Sequence, residues 1–377
     1  MSPIRNEIIK FNEDILPAVY ASSNYGIHGG GKENYKKTLS FLALADIHGD
    51  VERFEDALFY LDYIQSLDFG LHLGDIQGGH FHENDGKWYI NSVLSTRKVL
   101  YPVMGNHDGG NSTLASLSAT REDVFKKFVL PTKDHIGMPN LDKTYYSVNF
   151  DEYKVSISVL DNYIQPEDKA DNGDFIYHRG TQTFLTDQLS WFCDALMNVP
   201  NGYHLIIASH EYPEPYIIKK GSWTQEGVEI IGNYEHLAYG CKSIMSSIVD
   251  AWVKGKSFKA EFLPKKEFEN FPALFVDVDY SKRGEGTFVG YFIGHKHHDI
   301  VGASKDFPYQ NIFSFSSASS DTWQNAESDL PRTYGTKQQD CLTVVSVDTE
   351  HRLVKFVRVG SNITTNLEER KFFITKY

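Results

Sequence analysis

Asp46-Ile-His48, Asp75, Asn106-His107-Asp108, His210 and His295-Lys-His297 are the side chains of this sequence best suited to hold metal ions. They fall in five short groups, and each group directly follows a short apolar run. Setting His107 and Asp108 aside, they comprise two carboxylates, one carboxamide and four imidazoles. A mixed nitrogen and oxygen shell suits Mn, Fe, Zn, Co or Ni better than Mg or Ca, which prefer all-oxygen shells. Seven side chains are too many for one ion and fit two ions that share a bridging ligand. Two divalent cations against two carboxylates leave about +2, or about +1 once a hydroxide bridges them. Such a centre attracts an anionic ester and makes water acidic enough to act as a nucleophile near neutral pH. Taken singly, each group has an ordinary structural explanation, such as a buried hydrogen-bonded histidine or a helix cap. Five in succession, each closing an apolar strand, do not.

The elements that must position these groups are legible around them. Residues 41–45 form a continuous apolar run of strand length, the pattern of a strand buried on both faces in an α/β protein. Asp50 is a plausible N-cap for a helix whose apolar residues recur at 51, 54, 58, 61 and 64. Strands are expected at 69–73, 99–104, 204–208, 273–279 and 287–293, and helices at 87–97, 186–197 and 244–253. Thr120-x-x-Asp123 opens a helix expected to run to 129, with Pro131 as its stop. Residues 145–150 and 155–160 read as a hairpin, and 341–347 with 353–358 as two strands of the tail. Gly74, Gly105 and Gly294 sit beside ligand positions, where glycine lets a backbone turn tightly. Residues 1–36 read as an extension laid on the main body, and 37–377 as a single domain.

With 377 residues, 41% of them hydrophobic and 23% charged, the chain has the balance of a globular protein with a large core. A formal charge of −13 disfavours nucleic acid, because phosphate contacts need clustered Lys and Arg. Cys193, Cys241 and Cys341 share no metal-type spacing and are expected to be reduced. No window approaches the roughly 20 apolar residues of a membrane span, and the first residues lack a signal-peptide core. Membrane association is not expected, and a cytoplasmic setting is.

The ordered set Asp46-x-His48, Gly74-Asp75, Gly105-Asn106-His107-Asp108, His210 and Gly294-His295-x-His297 resembles the calcineurin-like metallophosphoesterase superfamily. The likeness spans residues 40–298. It implies a four-layer α/β/β/α sandwich of two mixed sheets, with the tail strands completing the second sheet, and two divalent ions such as Mn, Fe, Zn or Ni. By motif position, Asp46, His48 and His297 hold one ion, Asn106, His210 and His295 the other, and Asp75 bridges them. His107 contacts the phosphate and assists the leaving group, with Asp108 a candidate to orient it. The segment Gly74-Asp-Ile-Gln-Gly-Gly79 lacks the Asp-Arg pair of protein Ser/Thr phosphatases, and Gly105-Asn-His-Asp108 lacks their Glu. Purple acid phosphatases carry a tyrosine where this chain has Gly78. What remains resembles bacterial and phage enzymes that hydrolyse phosphomonoesters or phosphodiesters of small molecules or nucleotides. A nuclease of the same superfamily and a non-catalytic binding scaffold are the alternatives. Asp50 or Asp299 could accept the second N–H of a ligand imidazole. His80, His82, His178, Arg179, Tyr212 and His298 flank the ligand loops as substrate candidates, and His28 beside Gly29-Gly30-Gly31 could reach the site.

Overall fold

A computed structural model describes residues 38–81, 86–221, 226–230, 237–240, 242–319, 332–333, 335–361 and 372–377. The expected N-terminal extension with His28, together with His82 and Cys241, lies outside the described residues.

The first apolar run becomes β1 (Thr38–Leu44), and its side chains alternate between two cores. Phe41 and Ala43 point into one core with Leu71, Ile206, Phe292, Phe313 and Val345. Leu42 and Leu44 point into another, with Phe54, Leu58 and Leu61 of α1 (Val51–Tyr63) and Tyr89 and Val93 of α2 (Lys87–Ser95). β2 (Phe69–His72) and β3 (Leu100–Pro102) continue this sheet in parallel from β1.

The second sheet starts from the expected hairpin, β4 (Tyr146–Phe150) and β5 (Val155–Val159), and adds β6 (His204–Ala208) in parallel. In chain order β7 (Tyr216–Gly221), β8 (Glu229–Ile230), β9 (Ser257–Phe262), β10 (Leu274–Asp279), β11 (Thr287–Ile293), β12 (Ile300–Ser304) and β13 (Asn311–Ser314) follow. The sheet order is β4-β5-β6-β11-β13-β12-β7-β8. Its outer face packs on α4 (Thr186–Asn198) and α5 (Ile244–Val253), where Leu189, Phe192, Leu196, Ile248 and Trp252 meet Leu205, Ile207 and Ile293. Trp252 also donates its ring N–H to Leu196 O at 2.8 Å. Burial of that ring makes Trp252→Ala a loss of about 3–5 kcal/mol. Helices, sheet, sheet and helices are therefore stacked around three apolar seams, the expected four-layer sandwich.

Two expectations, on the tail strands and on the helix after Thr120, need correction. The tail strands β14 (Cys341–Asp348) and β15 (Leu353–Gly360), with β16 (Phe372–Lys376), do not complete the second sheet. They extend the first, in the order β16-β15-β14-β1-β2-β3. β14 is buried along its whole length, so it needs neighbours on both sides, and β1 and β15 supply them antiparallel. β10 joins neither sheet but pairs with β9 in a two-stranded ribbon. The helix opened by the Thr120 and Asp123 capping box is α-helical only over α3 (Arg121–Val124), then widens into a π turn over Phe125–Val129. Pro131, which has no N–H to continue an α-helical ladder, lies in the 3₁₀ turn that follows.

Candidate metal centre

The loops leaving β1, β2, β3, β6 and β11 carry all the expected ligands, and they are stitched to one another by backbone hydrogen bonds. Asp46 N–H donates to Gly74 O at 3.0 Å, His48 N–H to Asp75 O at 3.0 Å, and Gly294 N–H to His210 O at 2.9 Å. Five of the expected ligands adopt left-handed backbone: Asp46 (φ 55°), His48 (48°), Asp75 (56°), His295 (65°) and His297 (54°). Such conformations cost roughly 1–3 kcal/mol each and persist where surrounding contacts over-determine them. Here those contacts are the interloop hydrogen bonds.

The side chains converge. Asp46 with His48 and His297, Asp75 with His210 and His295, and His48 with Asp75 and His107 form three groups whose ligand atoms lie within 4.8 Å of one another. His297 Nε2 is 3.4 Å from Asp46 Oδ1 and 3.2 Å from His48 Nε2. His295 Nδ1 is 3.1 Å from Asn106 Oδ1 and 3.2 Å from His210 Nε2. Asp75 Oδ2 reaches both sides, 3.1 Å from His210 Nε2 and 3.9 Å from His48 Nε2.

Acceptors beside the rings assign the tautomers on one side. His210 Nδ1 faces Leu73 O at 2.7 Å, and His295 Nε2 faces a carboxylate oxygen of Glu211 at 3.2 Å. Both contacts call for N–H donors, so neutral rings turn the lone pairs of His210 Nε2 and His295 Nδ1 toward each other and toward Asn106 Oδ1. Acceptors gathered around one point repel unless a cation lies among them, so the donor set fits a metal ion.

The charges agree with that fit. Burial alone would raise the carboxyls of Asp46 and Asp75, but the imidazoles of His297 and His210 hold them below their usual range. Burial lowers His48 to about 4 and His295 to about 3, so both stay neutral, the form that binds metal. His210 goes the other way: burial opposes its charge, but Asp75 raises it to about 10. The two carboxylates demand positive charge at this point, and a divalent ion answers that demand in place of a proton.

The glycines act chiefly by leaving space. Of the three, Gly74 alone has a positive φ, at 95°. A Cβ on Gly105 would lie 2.1 Å from Asp75 Oδ1, one on Gly294 2.7 Å from Asp46 Oδ2, and one on Gly74 2.5 Å from His210 Nδ1. The backbone passes so close to the ligands that no side chain fits between.

His107 stands at the mouth of the cluster, with Nε2 3.9 Å from Asp75 Oδ2 and its ring against Gly79, whose added Cβ would meet Nδ1 at 2.6 Å. Asp108 has a different job from the expected one. Fully buried, it accepts from the backbone N–H groups of Gly105 (2.7 Å), Ile76 (2.7 Å) and Asp75 (3.1 Å), clamping two ligand loops together rather than orienting His107. Burial and the Asp75 charge push its carboxyl up to about 6, against the pull of those donors.

The other candidates differ in their surroundings. Asp50 caps α1, and Asp299 accepts from Ser316 N–H and pairs with Arg358. Tyr212 is 1% exposed and donates to Glu214 inside the helical seam. Arg179 is 2% exposed, stacked over Phe175 and paired with Glu167 at 3.5 Å, which takes it away from any distal phosphate. His178 Nδ1 accepts from Gly180 N–H, His298 Nδ1 turns back to Lys296 O, and His80 is exposed. The important residue missed by sequence reading is Glu211, whose single signal was its place directly after His210.

Sandwich and donor cluster together define a metal-binding α/β protein. A family model described as calcineurin-like phosphoesterase matches residues 39–299, so the chain belongs to that family and is a phosphoric ester hydrolase. No curated protein matches it. Among solved structures, a conserved protein described as a predicted phosphoesterase from Streptococcus pneumoniae TIGR4 is similar at 9% identity. It covers 90% of this chain and 98% of its own, with a TM-score of 0.31. A metallophosphoesterase from Sphaerobacter thermophilus is similar at 11% identity over 86% of this chain and 89% of its own, with a TM-score of 0.28. Neither likeness is close enough to add to the assignment of fold or site.

Proposed function

We propose that this chain hydrolyses small phosphomonoesters or phosphodiesters, nucleotides included, at a centre of two divalent ions. Asp46, His48 and His297 hold one ion, Asn106, His210 and His295 the other, and Asp75 is shared. The supporting observation is the convergence of acceptor atoms from five loops on two adjacent points. Bound divalent ions supply charge neutralisation of the ester and acidification of water. The protein's own share is to fix the ligands, hold Asp75 between the two groups through Asp108 and His107 N–H, and present a proton donor. His107, its side chain 17% exposed, is that donor, offering Nε2 to a phosphoryl or leaving-group oxygen. The pairing of β14 with β1 supports reading residues 37–377 as one domain, and the buried free thiols of Cys193 and Cys341 fit a cytoplasmic setting.

The test is turnover of bis-p-nitrophenyl phosphate and p-nitrophenyl phosphate with Mn²⁺. Wild-type protein turns over at least one of them, and Asp75→Ala and His107→Ala abolish it. Near wild-type rates in both variants would defeat the proposal. A binding scaffold instead predicts well under one ion per chain after purification without chelator.

A further inference from the structure

Glu211 is 1% exposed, follows a ligand directly in sequence, and carries no role in the centre as proposed above. Every contact of its carboxylate is a donor. Oε2 receives Tyr163 OH at 3.0 Å and the side-chain amide of Gln182, and lies 3.2 Å from His295 Nε2. Oε1 receives Lys296 Nζ at 2.6 Å. Its backbone carbonyl accepts from Asn162 Nδ2 and Ser209 Oγ, both at 2.9 Å, so the residue is held from both ends. A carboxylate so fixed can only accept from His295, which leaves the proton on Nε2 and the lone pair on Nδ1, the nitrogen 3.1 Å from Asn106 Oδ1. The matching contact of His210 is to the neutral carbonyl of Leu73. Glu211 is thus an anion standing behind His295, where His210 has a neutral carbonyl.

We infer that Glu211 is a positioning residue that locks the tautomer of His295 and strengthens the metal site built from Asn106, His210 and His295. The inference rests on the two-ion reading given above. Its physical basis is that a carboxylate accepting the outer N–H of a ligand imidazole raises the basicity of the inner nitrogen. Loss of such a partner weakens metal binding by about 10–100-fold. Lys296 neutralises the carboxylate locally, so the burial of Glu211 leaves no uncompensated charge, and the stronger hold on the metal comes through His295 itself.

Glu211→Gln keeps the size of the side chain but lets its amide donate toward Nε2, which favours the wrong tautomer. The experiment isolates the sites by paired backgrounds, with Mn²⁺ affinity read by calorimetric titration. In His297→Ala protein, which keeps the Asn106 site, adding E211Q weakens Mn²⁺ binding about 10–100-fold. In Asn106→Ala protein, which keeps the Asp46 site, E211Q changes affinity by less than about threefold. Equal loss at both sites, or no loss at either, overturns the inference. Wild-type protein that takes up no Mn²⁺ overturns the two-ion reading itself, a distinguishable result. Should E211Q not fold, ¹⁵N NMR of the imidazoles in metal-free wild-type protein decides. A proton on Nε2 of His295 supports the inference, and a proton on Nδ1 overturns it.

Discussion

Gly105→Ala adds one methyl group to the loop between β3 and Asn106, at a φ that alanine adopts freely, so its effect is steric alone. The new Cβ would stand 2.1 Å from Asp75 Oδ1, 2.6 Å from Asp75 N and 2.9 Å from Asp75 Cγ. Real Cβ atoms stay at least about 3 Å from such neighbours, so either the loop or the carboxylate must move by about 1 Å. The carboxylate has no free direction, since Oδ1 accepts from His107 N–H at 2.9 Å and Oδ2 lies 3.1 Å from His210 Nε2. Overpacking of this kind costs about 1–3 kcal/mol of stability. A displacement of about 1 Å at a group shared by two ions lowers turnover by about 100-fold. The assay is kcat/KM for bis-p-nitrophenyl phosphate in Mn²⁺, with metal content and urea denaturation measured in parallel. Gly137→Ala is the control: at φ 72° with nothing within 4 Å of its Cβ, it strains the backbone outside the ligand loops and leaves kcat/KM unchanged. Wild-type turnover in G105A, with full metal content, would refute the claim that close backbone approach shapes this site.

Asp108→Asn replaces one acceptor oxygen by an amide facing the N–H groups of Gly105 and Asp75. The two lost bonds destabilise the protein by roughly 1–3 kcal/mol each, read as a lowered urea midpoint, with turnover falling because both ligand loops loosen. Asp340, buried beside Asp56 and bonded to Arg53 at 2.9 Å, is pushed up to about 7, chiefly by burial. A carboxyl whose folded value lies above its ordinary 3.8 binds its proton more tightly in the native state, so its stabilising share is full below about pH 4 and lost as pH rises through 7. Asp340→Asn therefore flattens the fall in wild-type stability across that window. An unchanged slope in denaturation midpoints would rule this out.

What chain order determined is the list of chemical groups and the strands that deliver them. A five-residue apolar run that stops at Asp46-x-His48 announces a buried strand with ligands at its end, because side-chain polarity and period-2 spacing are local properties. The same holds for β2, β3, β6 and β11, and for α1 and α4, whose apolar residues recur at helical spacing. Residues 212–270 resisted, since β7 draws part of its pairing from β12, far away in sequence, β8 is only two residues long, and β9 alternates between exposed and half-buried positions.

Tertiary structure alone decided the rest. The placement of β14 against β1 depends on which sheet edge is open, and no residue of 341–348 records that. Asp108 looked like a partner for its neighbour His107, yet its oxygens go to N–H groups on the loop from β2, more than thirty residues back. Tyr212 and Arg179 carry side chains suited to a phosphate, but the fold turns both into its interior. Glu211 was signalled in the sequence only by its place after His210, because what matters is its approach to His295, a residue 84 positions away. Residue types fix which groups can bind metal and donate protons. Only the packed chain fixes which carboxylate stands behind which imidazole, because that is a matter of angstroms between segments that the sequence does not join.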